Sequence, residues 1–222
     1  MDIEQLLTTT RSVRKTFDLD APVDLGVIRD CLRIAMQAAN GTNLQAWRWL
    51  VIVDPGKREK IASIYRDAYL ARVGGQLVAG LMPLGSAEAR LMSSTEWLVE
   101  NMSRVPILVI PCYESTMPRV DGDESFHLAT LYGSIFPAVW NFQLALHDRG
   151  YGSCVTTLHL FAEEEVRALL DIPEGIVQGC LLPIGRLPEG KVFAPANRRA
   201  VDDVTAVDGW TGGPIEVHTP DQ

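Results

Sequence analysis

The sequence predicts an α+β or α/β domain built around one sheet. Segments with helical spacing of apolar residues alternate with short apolar runs bounded by turn residues, and we find no internal repeat. Hydrophobic residues make up 47% of the 222 residues and charged residues 22%, which is typical of a globular protein with a buried core. This length fits one domain, or one domain with an appended tail.

The first predicted elements are a helix, a strand and a second helix. Asp24 is a suitable N-cap for a helix over residues 25–39, where apolar residues recur at helical spacing. Asn40-Gly41 is expected to end this helix, because both residue types tolerate the left-handed conformation. The apolar run 49–53 is typical of a buried strand. Asp54-Pro55 then opens another helix, with proline at the first position, where no backbone donor is needed.

The middle of the chain predicts two more helices and a strand. Ser86 is expected to begin a helix after the apolar stretch 76–85, for which a lid over the substrate is one interpretation. A strand is predicted over 105–113. Residues 125–147 are apolar on nearly every side, which is typical of a central buried helix, and Pro137 predicts a kink or two abutting helices there.

The last third predicts two more regular elements and an extended tail. A short extended piece over 155–158 precedes a helix over 162–170, whose glutamates occupy the first turn, where the helix dipole favours anions. A final buried strand is expected over 178–185. Beyond residue 188 Gly, Pro and Asp are frequent and apolar residues are isolated. We therefore predict a domain over 1–200 and an extension over 201–222 that packs on a partner subunit.

Charge and composition disfavour several classes of protein. The net charge is −8 and the basic residues are scattered, which argues against a nucleic-acid surface. The opening MDIEQLL lacks the basic start and apolar run of a signal peptide, and the run 105–112 is too short to span a bilayer. We expect a cytoplasmic protein with no nucleic-acid or membrane partner.

The cysteines and histidines do not predict a metal or a nucleophile. No C-x-x-C pair is present, which argues against metal chelation and favours a reducing compartment. Cys154 has no neighbour in sequence that would lower the pKa of its thiol, so no thiolate nucleophile is predicted. His127, His147 and His159 flank apolar segments and are interpreted as structural.

The first cluster of side chains that could bind a ligand is R-S-V-R, near the start of the chain. Two arginines three residues apart, with a hydroxyl between them, can hold a phosphate through charge-assisted hydrogen bonds. A solvated basic patch after a short helix is the alternative interpretation. The cluster consists of Arg11, Ser12, Val13 and Arg14.

The second cluster lies between a predicted helix end and a predicted strand. Asn40, Asn43 and Gln45 carry carboxamides, which can form hydrogen bonds with the polar edge of a heterocyclic ring without placing a charge against it. Gly41 allows close approach of a ligand to the backbone. A loop whose amides only cap the helix is the alternative.

The third cluster is G-Y-G-S-C-V-T-T, with Val155, Thr156 and Thr157 at its end. Its hydroxyls can reach a ligand, although β-propensity alone also accounts for two threonines. No G-x-G-x-x-G is present, so the fingerprint of a Rossmann dinucleotide site is absent. The doublet Arg198-Arg199 in the tail either aids solubility or supplies a distant arginine to a phosphate site.

Taken together and in this order, these clusters resemble the nitroreductase family. R-S-V-R is followed by A-N-G-T-N-L-Q-A-W-R-W leading into a strand, and then by G-Y-G-S-C-V-T-T. V-R-A-L-L-D-I-P-E-G, L-L-P-I-G-R and R-R-A-V-D-D-V continue the pattern, which covers roughly residues 5–210. The resemblance implies a three-layer α/β/α sandwich with a central, mostly antiparallel sheet and a C-terminal arm that extends onto the partner subunit.

The resemblance also implies which residues hold FMN. The R-S-V-R cluster is expected at the phosphate and ribityl chain, with Arg198 as the C-terminal phosphate arginine and Arg199 as second choice. Asn40, Asn43 and Gln45 are expected beside the flavin, from the other subunit. The segment 155–157 is expected to cross the isoalloxazine ring, with the Thr157 hydroxyl hydrogen-bonded to N5, a contact that tunes the cofactor. The residue that meets the N1/O2 edge stays open, with Arg72 or Gln76 as candidates.

The implied activity is that of a homodimeric, FMN-dependent oxidoreductase with the flavin at the subunit interface. NADH or NADPH reduces FMN and leaves, and a nitroaromatic, quinone or activated alkene takes its place in a ping-pong reaction. Three alternatives stay open: a flavin store or sensor without turnover, a reductive dehalogenase and a flavin-fragmenting enzyme. The Glu, Tyr and Lys substrate clamp of iodotyrosine deiodinases is not recognisable between residues 54 and 100, so dehalogenation is not favoured.

Overall fold

A computed structural model describes residues 1–72, 86–114 and 124–215. The stretch 76–85, interpreted from sequence as a lid, lies outside these ranges, as does Gln76. The α-helices of the described ranges are α1 (Ile3–Thr9), α2 (Leu25–Ala35), α3 (Pro55–Arg72), α4 (Ser86–Asn101), α5 (Glu124–Asp148) and α6 (Glu163–Leu170). The strands are β1 (Trp47–Ile52), β2 (Ile107–Glu114), β3 (Tyr151–Ser153), β4 (Ile176–Gln178) and β5 (Leu182–Arg186).

The five strands form one sheet in the order β1-β2-β5-β3, with β4 also paired to β2. Every named strand pair is antiparallel, as the family resemblance implied. Trp47 lies opposite Tyr113 at one side of the sheet, and Ser153 lies opposite Ile184 at the other. A single parallel bridge between Ser12 and Ser153 adds the N-terminal segment beside β3. The predicted single-sheet α+β class is confirmed.

Helices cover both faces of the sheet, which gives the three layers. Side chains of a strand alternate between the faces, so neighbouring residues of β2 enter different cores. Leu108 and Ile110 pack in one buried cluster with residues of α3, α4 and α6. Ile107 and Val109 pack in the other, with residues of α2 and α5. We call these the α3-side core and the α5-side core.

The long helix α5 is the central element of its layer. It runs from Glu124 to Asp148 as one α-helix that contains Pro137, so two separate helices are not formed. Its buried residues recur from Leu131 to His147 and form a face that packs in the α5-side core. This packing stabilises the helix although Pro137 removes one backbone hydrogen-bond donor.

Several element boundaries differ from the predicted ones. Helix α2 begins after Asp24, as predicted, because the Asp24 carboxylate accepts a hydrogen bond from the Gly26 amide at 2.7 Å. It ends at Ala35 rather than at Asn40-Gly41. The segment 155–158 is not continuously extended, because a 3-10 helix occupies Leu158–Ala162. The predicted strand 178–185 is divided between β4 and β5.

The tail contributes little to either core. A 3-10 turn at Val201–Asp203 is its named element within the described ranges. Val201 and Val204 are exposed, and the Trp210 side chain is 99% exposed. Apolar side chains in this position suit the predicted arm over 201–222, of which 216–222 lie outside the described residues.

Candidate functional site

The structure brings the first and third clusters together at the edge of the sheet. The Val13 amide donates a hydrogen bond to the Ser153 carbonyl at 2.9 Å, and Ser12 bridges Ser153. Gly152 makes this approach feasible, because a Cβ at that position would lie only 2.9 Å from Val13 Cβ. Gly150 has φ of 77°, a conformation that favours glycine. Gly152 therefore serves the docking of R-S-V-R, whereas Gly150 serves the turn that precedes β3.

Arg11 carries the feature of this edge that most suggests a ligand. Its guanidinium lies 5.5 Å from the centroid of the Phe193 ring, and one terminal nitrogen donates a hydrogen bond to the Ala194 carbonyl. Its Nε is buried and has no hydrogen-bond partner within the structure described here. A buried, unsatisfied donor is costly, so Nε is a natural contact for an anion.

Arg14 has different neighbours from Arg11, because residues 11–13 are extended rather than helical. The positive charge of Arg14 lowers the pKa of the Tyr65 phenol and of the Cys154 thiol against the larger effect of burial. Arg14 therefore lies on the α3 side of the segment. Ser12 is exposed, whereas the Val13 side chain is buried in the α3-side core and offers only its backbone.

The C-terminal arginines lie further along the tail that contacts Arg11. Arg198 follows Ala194 by four residues, which an extended chain spans in at most about 14 Å. Arg198 donates to the Asn197 carbonyl at 3.1 Å, and Arg199 donates to the Asp203 carbonyl at 2.9 Å. These bonds do not join either arginine to Arg11, so the convergence of both ends of the chain on one phosphate stays a prediction.

The segment 155–157 is held at its middle residue. The Thr156 amide and carbonyl exchange hydrogen bonds with Leu181 at 3.0 and 2.8 Å. The Thr156 hydroxyl lies 2.7 Å from the Tyr65 hydroxyl. Val155 packs against the α5-side core, and Thr157 is exposed at the start of the following 3-10 helix. An exposed Thr157 hydroxyl suits the predicted contact with a flavin, which the structure does not test.

The second cluster forms a compact loop against the middle of α5. The Asn40 carboxamide oxygen accepts from the Gln45 amide at 2.9 Å, and the Gln45 side chain donates to the Asn43 side chain at 3.2 Å. The Gly41 amide donates to the Ser134 hydroxyl at 3.1 Å. The left-handed residues are Thr42, Asn43 and Gln45, with φ of 50°, 54° and 53°, rather than the predicted Asn40-Gly41.

This loop and the R-S-V-R cluster lie at opposite edges of the sheet. The loop leads into β1, whereas R-S-V-R lies beside β3. Since β2 and β5 lie between these strands, the lateral separation of β1 and β3 is about 14 Å. The structure therefore does not bring the second cluster into the group formed by the first and third.

Burial favours the neutral forms of several cysteines and histidines. Burial raises the pKa of Cys112, Cys154 and Cys180 to about 12 each, so these thiols stay protonated. Burial likewise lowers the pKa of His159 to about 4. His147 shares a hydrogen bond of 3.2 Å with Thr9, and burial lowers the pKa of its ring. The structural interpretation of these two histidines agrees with this environment.

Two further observations concern metals and membranes. Among residues 1–72, 86–114 and 124–215, no group of three or more His, Cys, Asp or Glu side chains is placed to hold a metal ion. Across the same ranges, no helix has both the length and the apolar character that a bilayer crossing requires.

Tyr65 was missed by sequence reasoning as part of this site. Its spacing on α3 indicates a core residue, and it is indeed 1% exposed. The one signal was chemical: a buried phenol requires a hydrogen-bond partner, but the sequence alone does not say which.

Known proteins share this fold across nearly the whole chain. Iodotyrosine deiodinase 1 of Rattus norvegicus is 26% identical over 204 residues, which cover 90% of this chain and 67% of that protein. The chain thus spans about two thirds of the length of this relative. A crystal structure of oxidized iodotyrosine deiodinase bound to FMN and 3-iodo-L-tyrosine superposes with a TM-score of 0.69 at 22% identity, covering 92% of this chain and 100% of that one.

A nitroreductase structure is similar at a slightly lower TM-score. The FMN and NADPH-dependent nitroreductase NfnB of sphigopyxis sp. strain HMH superposes with a TM-score of 0.65 at 19% identity, covering 95% of this chain and 100% of that one. At such identities the two superpositions establish the fold alone. The Nitroreductase family profile, however, matches residues 7–186, which is most of the sequence, and the chain therefore belongs to the Nitroreductase family.

Proposed function

We propose that the chain binds FMN and is an oxidoreductase in which NADH or NADPH reduces the flavin and an electron-poor acceptor reoxidises it. The observation that carries the proposal is the docking of R-S-V-R beside Ser153, two residues before the segment 155–157. Nitroaromatics, quinones and activated alkenes are the acceptors we expect. The four free thiols suit a cytoplasmic protein.

The phosphate end of FMN fits the residues present. Arg11 Nε is a buried donor without a partner, and a phosphate oxygen would satisfy it with a charge-assisted bond. Ser12 and Arg14 adjoin Arg11 in sequence, and Arg198 lies a few residues beyond the tail contact at Ala194. Leaving such a donor unsatisfied costs about 1–3 kcal/mol, so the phosphate removes a penalty that the free protein carries.

FMN, when bound, supplies the hydride chemistry, and the protein binds and orients it. In this proposal the segment 155–157 lies along the isoalloxazine ring, and the exposed Thr157 hydroxyl contacts N5. The neutral thiol of Cys154 and the neutral ring of His159 place no charge beside the flavin. Because the flavin itself carries the hydride chemistry, we expect few protein acids or bases to be needed.

We further propose a homodimer that completes the site. In one chain Asn40, Asn43 and Gln45 are separated from R-S-V-R by the sheet, so a second chain is required for them to reach the flavin. Leu44 beside them and Trp140 on α5 are exposed apolar side chains, which an interface would cover. The extension 201–222 supplies further apolar contacts in this proposal.

Reductive dehalogenation is the second candidate. It is favoured by the similarity to iodotyrosine deiodinase 1 and to the deiodinase structure with bound 3-iodo-L-tyrosine. Incubation of the FMN-loaded protein with reductant and 3-iodo-L-tyrosine, followed by analysis for tyrosine, decides between the two. Turnover of a nitroaromatic with nicotinamide but no tyrosine formation supports the first candidate.

The deciding experiment for the main proposal is an FMN titration followed by anaerobic reduction. We expect the protein to take up FMN, to become yellow, and to lose its flavin absorbance band when NADH or NADPH is added. Failure to take up FMN would remove the cofactor assignment. Uptake without bleaching by either nicotinamide would instead support a flavin store or sensor, and flavin fragments after aerobic incubation would support a flavin-fragmenting enzyme.

A further inference from the structure

Tyr65 connects helix α3 to the segment that the proposed function places against the flavin. The side chain is 1% exposed, and its hydroxyl lies 2.7 Å from the Thr156 hydroxyl. Burial raises the pKa of Tyr65 to about 12, so the phenol keeps its proton at any pH at which the protein is used. The two hydroxyls therefore form a neutral hydrogen bond inside the protein.

Packing alone does not account for a tyrosine at this position. A phenylalanine would fill the same part of the α3-side core without burying a polar group, and burying a hydroxyl is unfavourable unless it is hydrogen-bonded. The Tyr65 hydroxyl is hydrogen-bonded to the Thr156 hydroxyl, which is 91 residues away in sequence. The contact thus links a helix to one particular residue of the candidate site.

The contact fixes the direction of the Thr156 side chain, in the middle of the segment. Thr156 is bonded through its backbone to Leu181 and through its hydroxyl to Tyr65, which turns its side chain toward α3. Because successive side chains of an extended segment point to opposite sides, Val155 packs in the α5-side core. Thr157 follows with its side chain exposed.

Tyr65 also lies within the electrostatic reach of the first cluster. The positive charge of Arg14 acts on the Tyr65 phenol and on Cys154, the residue two before Thr156. The phenol therefore contacts the segment 155–157 through Thr156 and is also close enough to Arg14 to respond to its charge.

We infer that Tyr65 is a positioning residue that, through the Thr156 hydroxyl, sets the orientation of residues 155–157 toward the flavin. The inference rests on the proposed function for the identity of the ligand. The predicted effect of Tyr65 on the protein chain does not depend on the proposed function, because it can be measured without any ligand. The residue acts through Thr156 and does not itself touch the flavin.

The test compares Tyr65→Phe with a matched control in the same helix. Tyr69→Phe removes the same atom one turn later, from a side chain buried in the same core. Thr156→Val removes the other hydroxyl of the pair, and Thr156→Ser keeps it. Folding of all four proteins is checked by urea denaturation, and only variants with a cooperative transition are compared.

The first measurement is hydrogen exchange of the Thr156 and Leu181 amides in the ligand-free protein. A hydrogen bond contributes enough to local stability that we expect about tenfold faster exchange in Tyr65→Phe and in Thr156→Val. Tyr69→Phe and Thr156→Ser are expected to stay within twofold of the unaltered protein. Equal exchange in Tyr65→Phe and the unaltered protein would overturn the inference.

The second measurement concerns bound FMN. We expect Tyr65→Phe and Thr156→Val to change the ratio of affinities for oxidised and reduced FMN at least threefold, and to alter the visible circular dichroism of the flavin. If the unaltered protein binds no FMN, the proposed function fails while the exchange result still decides whether Tyr65 orients the segment. If FMN binds and neither flavin property moves in Tyr65→Phe, the inference is wrong while the proposed function stands.

Discussion

The backbone amide of Val13 donates to the carbonyl of Ser153 at 2.9 Å, and this one bond ties the N-terminal segment to the edge strand of the sheet. It brings together R-S-V-R and G-Y-G-S-C-V-T-T, which are about 140 residues apart in the sequence. The approach depends on Gly152, beside which Val13 lies too close for any larger residue.

Replacement of Gly152 by alanine tests this docking. The new Cβ would lie 2.9 Å from Val13 Cβ and 3.0 Å from a Leu187 methyl carbon, so the N-terminal segment must shift. We expect a loss of about 1–3 kcal/mol in the free energy of unfolding, measured by urea denaturation, together with weaker FMN binding. Gly209→Ala is the control, because nothing lies within 4 Å of its added Cβ. Unchanged stability in Gly152→Ala would contradict the close packing.

Combined replacement of Arg11 and Arg198 by alanine tests the phosphate site. A hydrogen bond to a charged group is worth about 1.5–3 kcal/mol, so loss of both is expected to weaken FMN binding by at least about 100-fold. Fluorescence titration of the apoprotein measures the dissociation constant. Arg33→Ala is the control, since Arg33 is an exposed residue whose ion pair with Asp30 spans 4.0 Å. FMN retained as tightly in the double variant as in the control would refute the assignment.

Truncation before Val201 tests the arm. Val201, Val204 and Trp210 are exposed in the single chain, and their removal is expected to weaken the dimer and FMN retention together. Sedimentation velocity and the absorbance of bound flavin measure the two effects. A shorter truncation that removes only residues 216–222 keeps these apolar side chains. A protein without residues 201–222 that stays dimeric and yellow would show that the arm is not required.

His159 predicts a pH dependence of stability. Its ring is fully buried, and burial lowers its pKa to about 4, below the ordinary value of 6.5. Between these two pH values the unfolded chain binds more protons than the folded protein. The contribution of His159 to the free energy of unfolding is therefore fully present above about pH 6.5 and falls as the pH is lowered toward 4. The slope from this group is at most about 1.4 kcal/mol per pH unit.

Urea denaturation between about pH 4.5 and about pH 7.5, a range that covers most of this window and the plateau above it, measures the slope. We expect His159→Leu to remove most of it, because leucine does not titrate. His127→Gln serves as a histidine replacement elsewhere in the chain and is expected to keep it. A slope that survives in His159→Leu would assign the effect to other groups.

Local sequence signals predicted the elements of this fold better than their boundaries. Asp24 caps α2 with its own carboxylate, and Asp54 does the same for α3 by accepting from the Lys57 amide at 2.8 Å. Such signals are contained in a few neighbouring residues. The end of α2 was predicted wrongly, because the chain changes to tighter turns directly after Ala35, where the Gln37 and Ala38 amides donate to the Ile34 and Ala35 carbonyls three residues earlier.

The sequence predicted the separate clusters of the candidate site, but it did not predict which of them lie next to each other. R-S-V-R and the Thr156-Thr157 pair were identified from residue type and from family resemblance. Their adjacency depends on sheet order, which periodicity does not encode. Tyr65 could not be assigned, because a hydrogen bond across 91 residues leaves no trace in local spacing.

The backbone of the loop at Thr42, Asn43 and Gln45 has a consequence for the free energy of the whole fold. Positive φ is unusual for residues with a Cβ, and most unusual for a β-branched threonine. Asn43 tolerates this conformation, whereas Thr42 and Gln45 each cost on the order of 1 kcal/mol, within a net folding stability of about 5–15 kcal/mol. Glycine at position 42 would therefore relieve this backbone strain. The native threonine instead holds the loop in a strained conformation that is already formed before any partner binds.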